Sequence, residues 1–231
     1  MDIRSTPSFG GTTINVARNQ VLRNTYWLLA LSLIPTVLGA VVGITSGVPM
    51  LMAGSPIMGT LLFFGIAFGF MWGIQRNQNS GTGVLLLLGF TFFMGVMLSQ
   101  ILSVALGVTS GGALIAMAGS ATAAIFFSLA MYTSVSKRDF SFMGNFLFAG
   151  LILLIIASLA NMFLAIPAMA IAISAIGALL FTGYLLFDLS RIVNGGETNY
   201  ITATLAVYLD IYNLFVSLLN LLMIFTGNDR D

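Results

Sequence analysis

Seven nearly charge-free apolar stretches, separated by connections of only a few residues, dominate this 231-residue chain. About 20 predominantly apolar residues are what an α-helix needs to cross a hydrocarbon core. The stretches fall at 26–45, 57–75, 83–106, 113–135, 142–164, 167–190 and 203–225. Inside lipid every backbone N–H and C=O has to be satisfied within the segment, so stretches of this kind fold as helices. The expectation is an all-α membrane protein, a seven-helix transmembrane bundle with the last helix central. Composition agrees, because 58% hydrophobic residues, 6% charged residues and a mean hydropathy of +1.05 do not describe a soluble domain.

Residues 1–24 are polar and lack an apolar run, so they read as a cytoplasmic, unstructured tail. A cleaved signal peptide is not expected, and the first helix serves as the insertion signal. The seven-helix domain then covers 25–226, with a short tail at 227–231. Arg4, Arg18 and Arg23 precede the first helix, Arg76 follows the second, Lys137 and Arg138 follow the fourth, and Arg191 follows the sixth. All fall on one side of the bundle, and only Arg230 lies on the other. Basic residues mark the cytoplasmic side, so the N-terminus is expected inside and the C-terminus outside. Trp27 and Trp72 fit that orientation as interfacial anchors.

The chain has no cysteine and no histidine, which removes disulfides, thiolate nucleophiles, imidazole bases and the usual zinc ligand sets. A net charge of +1 without a basic run gives no sign of nucleic-acid binding. The bilayer itself is the first expected partner. Pro35 is expected to kink helix 1, while Pro56 and Pro167 suit helix starts. Gly65, Gly69 and Gly73 recur every four residues along helix 2, a stripe where another helix could approach closely. The methionines read as core filling or lipid-facing side chains.

Against this background two aspartates stand out, Asp188 and Asp210, because a carboxylate at membrane depth is costly unless paired, hydrated or protonated. Asp210, Asn213, Ser217 and Asn220 follow an i, i+3, i+7, i+10 pattern and share one face of the last helix. That stripe either lines a polar path or, for Asn213, Ser217 and Asn220, supplies hydrogen bonds between helices. Asp188 has a simpler account, an i, i+3 ion pair with Arg191. If helix 6 ends at Gly195 and Thr198 caps helix 7, the two aspartates differ in depth by roughly 8 Å at 1.5 Å per residue. Spacing alone therefore does not make them partners. Glu197 reads as a solvated turn residue. A membrane aspartyl protease would carry a Gly-x-Gly-Asp turn, whereas Val207, Tyr208 and Leu209 precede Asp210 here, so no enzyme is expected.

The segment FDLSRIVNGGETNYITATLAVYLDIYNLFVSLL at 187–219 resembles the signature of the Bax inhibitor-one family. It has an aspartate near the end of helix 6, a short polar loop, and a Tyr-Leu-Asp-Ile-x-Asn-Leu-Phe helix. VLRNTYWLLALSL at 21–33, KRDFSFMGNFLFAGLI at 137–152 and GGETNYITAT at 195–204 are similar to a bacterial branch that modulates the membrane protease FtsH. The resemblance implies a multi-pass protein of the bacterial inner membrane that restrains FtsH in membrane-protein quality control. It also implies an alternative, a pH-sensitive calcium leak gated by Asp188 and Asp210, with calcium ions or protons as partners and no cofactor. In that alternative an arginine latches the aspartate, and Arg191 and Arg76 are the nearest candidates.

Overall fold

The computed structural model describes residues 10–47 and 56–228, and side chains over 19–47 and 57–226. Seven helices follow in order: α1 (Gly10–Ser46), α2 (Pro56–Arg76), α3 (Gly81–Leu106), α4 (Gly111–Ser136), α5 (Gly144–Leu164), α6 (Pro167–Asn194) and α7 (Tyr200–Asn228). A single 3-10 turn, Ser141–Met143, leads into α5, and no strand occurs among the described residues. All seven helices are long and apolar enough to span a membrane.

Pro56 and Pro167 open α2 and α6, as expected of a residue without an N–H to leave unpaired. Gly195 closes α6 in the left-handed conformation at φ 80°, which a Cβ would disfavour. The α7 cap differs from expectation. Asn199 rather than Thr198 takes that role, its Oδ1 accepting from the backbone N–H of Ile201 at 2.9 Å and of Thr202 at 3.3 Å. Helix α1 also begins at Gly10, so it runs through the second half of the segment expected to be an unstructured tail. Residues 1–9, the 48–55 connection and 229–231 lie outside the described residues, and Arg4 and Arg230 with them. Helix α1 continues through Pro35, whose missing N–H deprives the Leu31 carbonyl of its helical donor.

Helix α7 is central, packing against α1, α2, α3, α4 and α6. Its buried face supplies Ile201, Val207, Tyr208 and Leu214 to a core that also takes Leu87 and Phe90 from α3 and Leu185, Leu189 and Ile192 from α6. The buried Tyr208 hydroxyl pairs with Thr36 Oγ1 of α1 at 2.9 Å, joining α7 to α1 within the bundle. A smaller apolar cluster of Ala105, Leu114, Ala118 and Leu219 joins α3, α4 and α7 farther along.

The tightest helix pair is α1 with α3, and it is built from glycines. A Cβ on Gly95 would fall on the Thr36 carbonyl of α1, and one on Gly39 would fall on the Phe92 carbonyl of α3. Gly43 faces Ser99 in the same way. The glycine stripe of α2 does not play this part. A Cβ on Gly65 or Gly69 would meet nothing within 4 Å, and one on Gly73 would meet only Leu86 Cδ1, at 3.3 Å. That stripe lies on one of the more exposed faces of the bundle, so its spacing marks no close helix contact.

The end of the bundle that carries Arg76, Lys137, Arg138 and Arg191 is tied together by a hydrogen-bonded collar. Ser190 Oγ and Asn194 Nδ2 of α6 donate to the Arg138 carbonyl at 2.9 and 3.0 Å. Asn199 Nδ2 donates to Gln78 O and Asn79 Oδ1 at 2.8 Å each. Thr204 Oγ1 reaches the Thr25 carbonyl of α1 at 3.4 Å. Within this collar the exposed Asp139 carboxylate accepts the Ser141 N–H at 2.8 Å. Those bonds from Ser141 hold its pKa below the ordinary aspartate value.

Candidate functional site

Helices α6 and α7 run antiparallel beneath the collar, and each presents one aspartate toward the other. Counted from the helix ends, Asp188 lies six residues below Asn194 and Asp210 ten residues beyond Tyr200. At 1.5 Å per residue their backbones differ in depth by about 6 Å. Their carboxyl groups nevertheless come within hydrogen-bonding reach of each other. The direction of the side chains closes the gap. Every Cα–Cβ bond tilts toward its own helix N-terminus, so Asp188 leans inward along α6 while Asp210 leans outward along α7. Antiparallel packing thus turns a mismatch in depth into a contact.

The two groups sit in different surroundings. Asp210 is 5% exposed, and its Oδ2 is buried without a hydrogen-bond partner. Asp188 is partly exposed and faces Arg191, with Nη1 to Oδ1 at 3.7 Å, the i, i+3 pair expected from sequence. Arg191 is shared, because its Nη2 lies 3.8 Å from Glu197 Oε2 and its guanidinium rests 5.5 Å from the Phe187 ring centroid. Glu197 also accepts from the Asn199 N–H at 3.0 Å and from Thr202 Oγ1 at 3.2 Å. It is therefore no bare turn residue but the link between Arg191 and the first turn of α7. Of the two latch candidates only Arg191 is placed at the aspartates. Arg76 lies over the Trp72 ring at 5.6 Å and makes no ion pair among the described residues.

Below the aspartates opens a cavity of about 640 Å³ walled by α2, α5, α6 and α7, with Phe90 and Met94 of α3 at its back. Asp188, Asp210, Asn213, Ser217 and Asn220 all line it, so the polar stripe of α7 faces a cavity along its whole length. None of Asn213, Ser217 and Asn220 makes a side-chain hydrogen bond to another helix among the described residues. The Asn213 amide instead donates to the Leu209 carbonyl of its own helix at 2.8 Å. Ser217 packs where α6 comes close at Gly177, whose Cβ would lie 2.8 Å from Ser217 Oγ. Tyr184, Ser158 and Ser174 also line this cavity, and sequence reasoning singled out none of them. Tyr184 stands at i−4 from Asp188, a spacing that places it on the same face.

The site thus joins a buried Asp210, a partly exposed Asp188 beside Arg191, and a polar-striped cavity. The family model described as "Inhibitor of apoptosis-promoting Bax1" matches residues 18–227. The chain belongs to the Bax inhibitor family. Among its relatives in that family is an uncharacterized membrane protein of Vibrio cholerae, 41% identical over 228 residues, which cover 97% of this chain and all of the relative. Another is the Modulator of FtsH protease YccA of Escherichia coli K12, 40% identical over 207 residues, covering 90% of this chain and 91% of that protein. An uncharacterized protein of Neisseria meningitidis serogroup A is 36% identical over 220 residues, 94% of this chain and 96% of the relative. Membership of the family and seven spanning helices together make the chain a multi-pass membrane protein.

Proposed function

We propose that this chain modulates the membrane-anchored ATP-dependent protease FtsH in membrane-protein quality control. The observation that carries the reading is the 40% identity to the E. coli modulator over nine-tenths of both chains. In this reading the protein sits in the bacterial inner membrane with its basic collar and N-terminus in the cytoplasm, because basic residues favour that side. The polar N-terminal segment then lies where a cytoplasmic protease engages its substrates, and the role is regulatory rather than enzymatic. Deleting residues 2–18 should leave the membrane bundle folded while changing the lifetimes of FtsH substrates in cells. Unaltered lifetimes with the shortened protein present at normal levels would refute it.

A second reading, a pH-sensitive calcium leak, is favoured by one observation, the meeting of Asp188 and Asp210 at the head of a polar-striped cavity. Two adjacent carboxyls are held together by a shared proton and repel when both ionise. Proton loss would then loosen α6 from α7, with Arg191 able to steady Asp188 as the latch. The test is calcium flux into liposomes between about pH 6 and 8 for the parent, Asp188→Asn and Asp210→Asn. Identical pH profiles in all three proteins would exclude the gate.

A further inference from the structure

The same cavity has a property that neither reading uses, a lateral opening. Helices α2 and α5 both wall it without a close backbone approach, touching through Thr60 Oγ1 and Met162 Sδ at 3.9 Å. Exposed side chains sit at the gap, among them Phe68 of α2 at 61% and Leu159 of α5 at 40% exposure. An opening between two spanning helices faces acyl chains rather than water. A molecule entering there therefore comes from the bilayer.

Rings dominate the interior, with Phe63, Phe90, Phe181, Tyr184 and Tyr212 among its walls, and Phe181 stacks on Tyr184 at 6.2 Å. No lysine or arginine lines the cavity among the described residues. The charged side chains among its described lining residues are Asp188 and Asp210, and Arg191 pairs with the first of them. Arg191 is shared between Asp188 and Glu197, so Asp210 keeps no cation of its own among the described residues. The nine-tenths-buried Asp210, whose Oδ2 lacks a partner, lines the cavity. Ring faces attract cations, most strongly where water is excluded, and an intramembrane carboxylate commonly serves as the counter-ion of a ligand. The volume, about 640 Å³, lies within the range of small-molecule sites.

We propose that the cavity between α2, α5, α6 and α7 binds a monovalent lipophilic organic cation, admitted sideways from the bilayer between α2 and α5, with Asp210 as its counter-ion. The site stands whether or not the chain acts on a protease or passes calcium. The test is equilibrium binding of labelled tetraphenylphosphonium to the full chain in nanodiscs, with uncharged triphenylphosphine oxide as competitor. Saturable binding should weaken about tenfold or more in Asp210→Asn. It should also be blocked by Ser158→Trp, which adds bulk on the exposed α5 wall and leaves both aspartates in place. Binding that never saturates, or that the neutral competitor displaces as well as unlabelled cation does, would reduce the cavity to an apolar partition site. If Asp210→Asn cannot be recovered folded, Ser158→Trp decides alone, and undiminished binding in it overturns the proposal.

Discussion

The glycines of α2 and those of the α1–α3 contact should respond oppositely to a single added methyl group. In an exposed helix, replacing glycine by alanine stabilises by about 0.5–1 kcal/mol, because the unfolded backbone has less freedom to lose. Gly65 and Gly69 of α2 have nothing within 4 Å of an added Cβ, so Gly65→Ala and Gly69→Ala should be neutral or gain up to about that amount. At Gly95 the added carbon would overlap the Thr36 carbonyl, a backbone atom that cannot swing aside. Overpacking of this kind costs about 1–3 kcal/mol. Less the propensity gain, Gly95→Ala should lose about 1 kcal/mol net, and at most about 2.5. Gly39→Ala meets the reciprocal obstacle at Phe92 and should lose a similar amount. The double variant should lose less than the sum, since the helix separation forced by the first methyl relieves the second. Reversible unfolding by sodium dodecyl sulfate, followed by loss of helix signal in mixed micelles, measures each difference. A Gly65→Ala loss as large as that of Gly95→Ala would refute the packing argument, and so would full additivity of Gly39→Ala with Gly95→Ala.

Asn199→Ala should destabilise the fold by about 1 kcal/mol through loss of the α7 cap, together with its tie to Gln78 and Asn79. Thr198→Ala should be near neutral in the same unfolding assay. Tyr208→Phe removes the 2.9 Å bond to Thr36, and since polar contacts in membrane bundles average about 0.6 kcal/mol, a loss between that and about 1.7 is expected. Asp139 has its pKa lowered by Ser141, so its contribution is complete above the ordinary value of 3.8 and disappears as pH falls through the lower folded value. The stability difference between the parent and Asp139→Ala should therefore be flat from neutral pH down to about pH 5 and shrink only in stronger acid. A difference that shrinks between pH 7 and 5 would show that another group is being read.

The fold was legible because lipid allows so few alternatives. Length and hydropathy located all seven spans, proline and glycine marked the starts of α2 and α6 and the end of α6, and the polar face of α7 was visible from its spacing alone. What stayed hidden depended on partners. A glycine stripe states that close approach is sterically allowed, and only the neighbouring helix decides whether it happens, which is why the α2 stripe misled and the Gly39, Gly43 and Gly95 contact went unnoticed. The N-cap of α7 was misplaced by one residue because Thr198 and Asn199 are both competent caps. Only the packing of the loop against Gln78 and Asn79 selects between them.

The acid pair shows the same dependence on partners most clearly. Depth counted along each helix set Asp188 and Asp210 apart, since counting treats side chains as if they left the helix axis at right angles. Two antiparallel helices direct theirs toward each other along the axis, and that convergence supplies the missing distance. The same geometry explains why the two substitutions should not be equivalent. Asp188 keeps Arg191 beside it, so Asp188→Asn frees a guanidinium that Glu197 can still hold at 3.8 Å. Asp210→Asn removes the member of the pair that has no ion pair among the described residues. If the pair acts as a proton-controlled latch, Asp210→Asn should abolish the pH response of α6 and α7, whereas Asp188→Asn should also free Arg191 to swing toward the loop. Distances between spin labels on α6 and α7, measured across the same pH range in both variants, would separate these outcomes. Indistinguishable profiles would mean that Arg191 is not part of the latch.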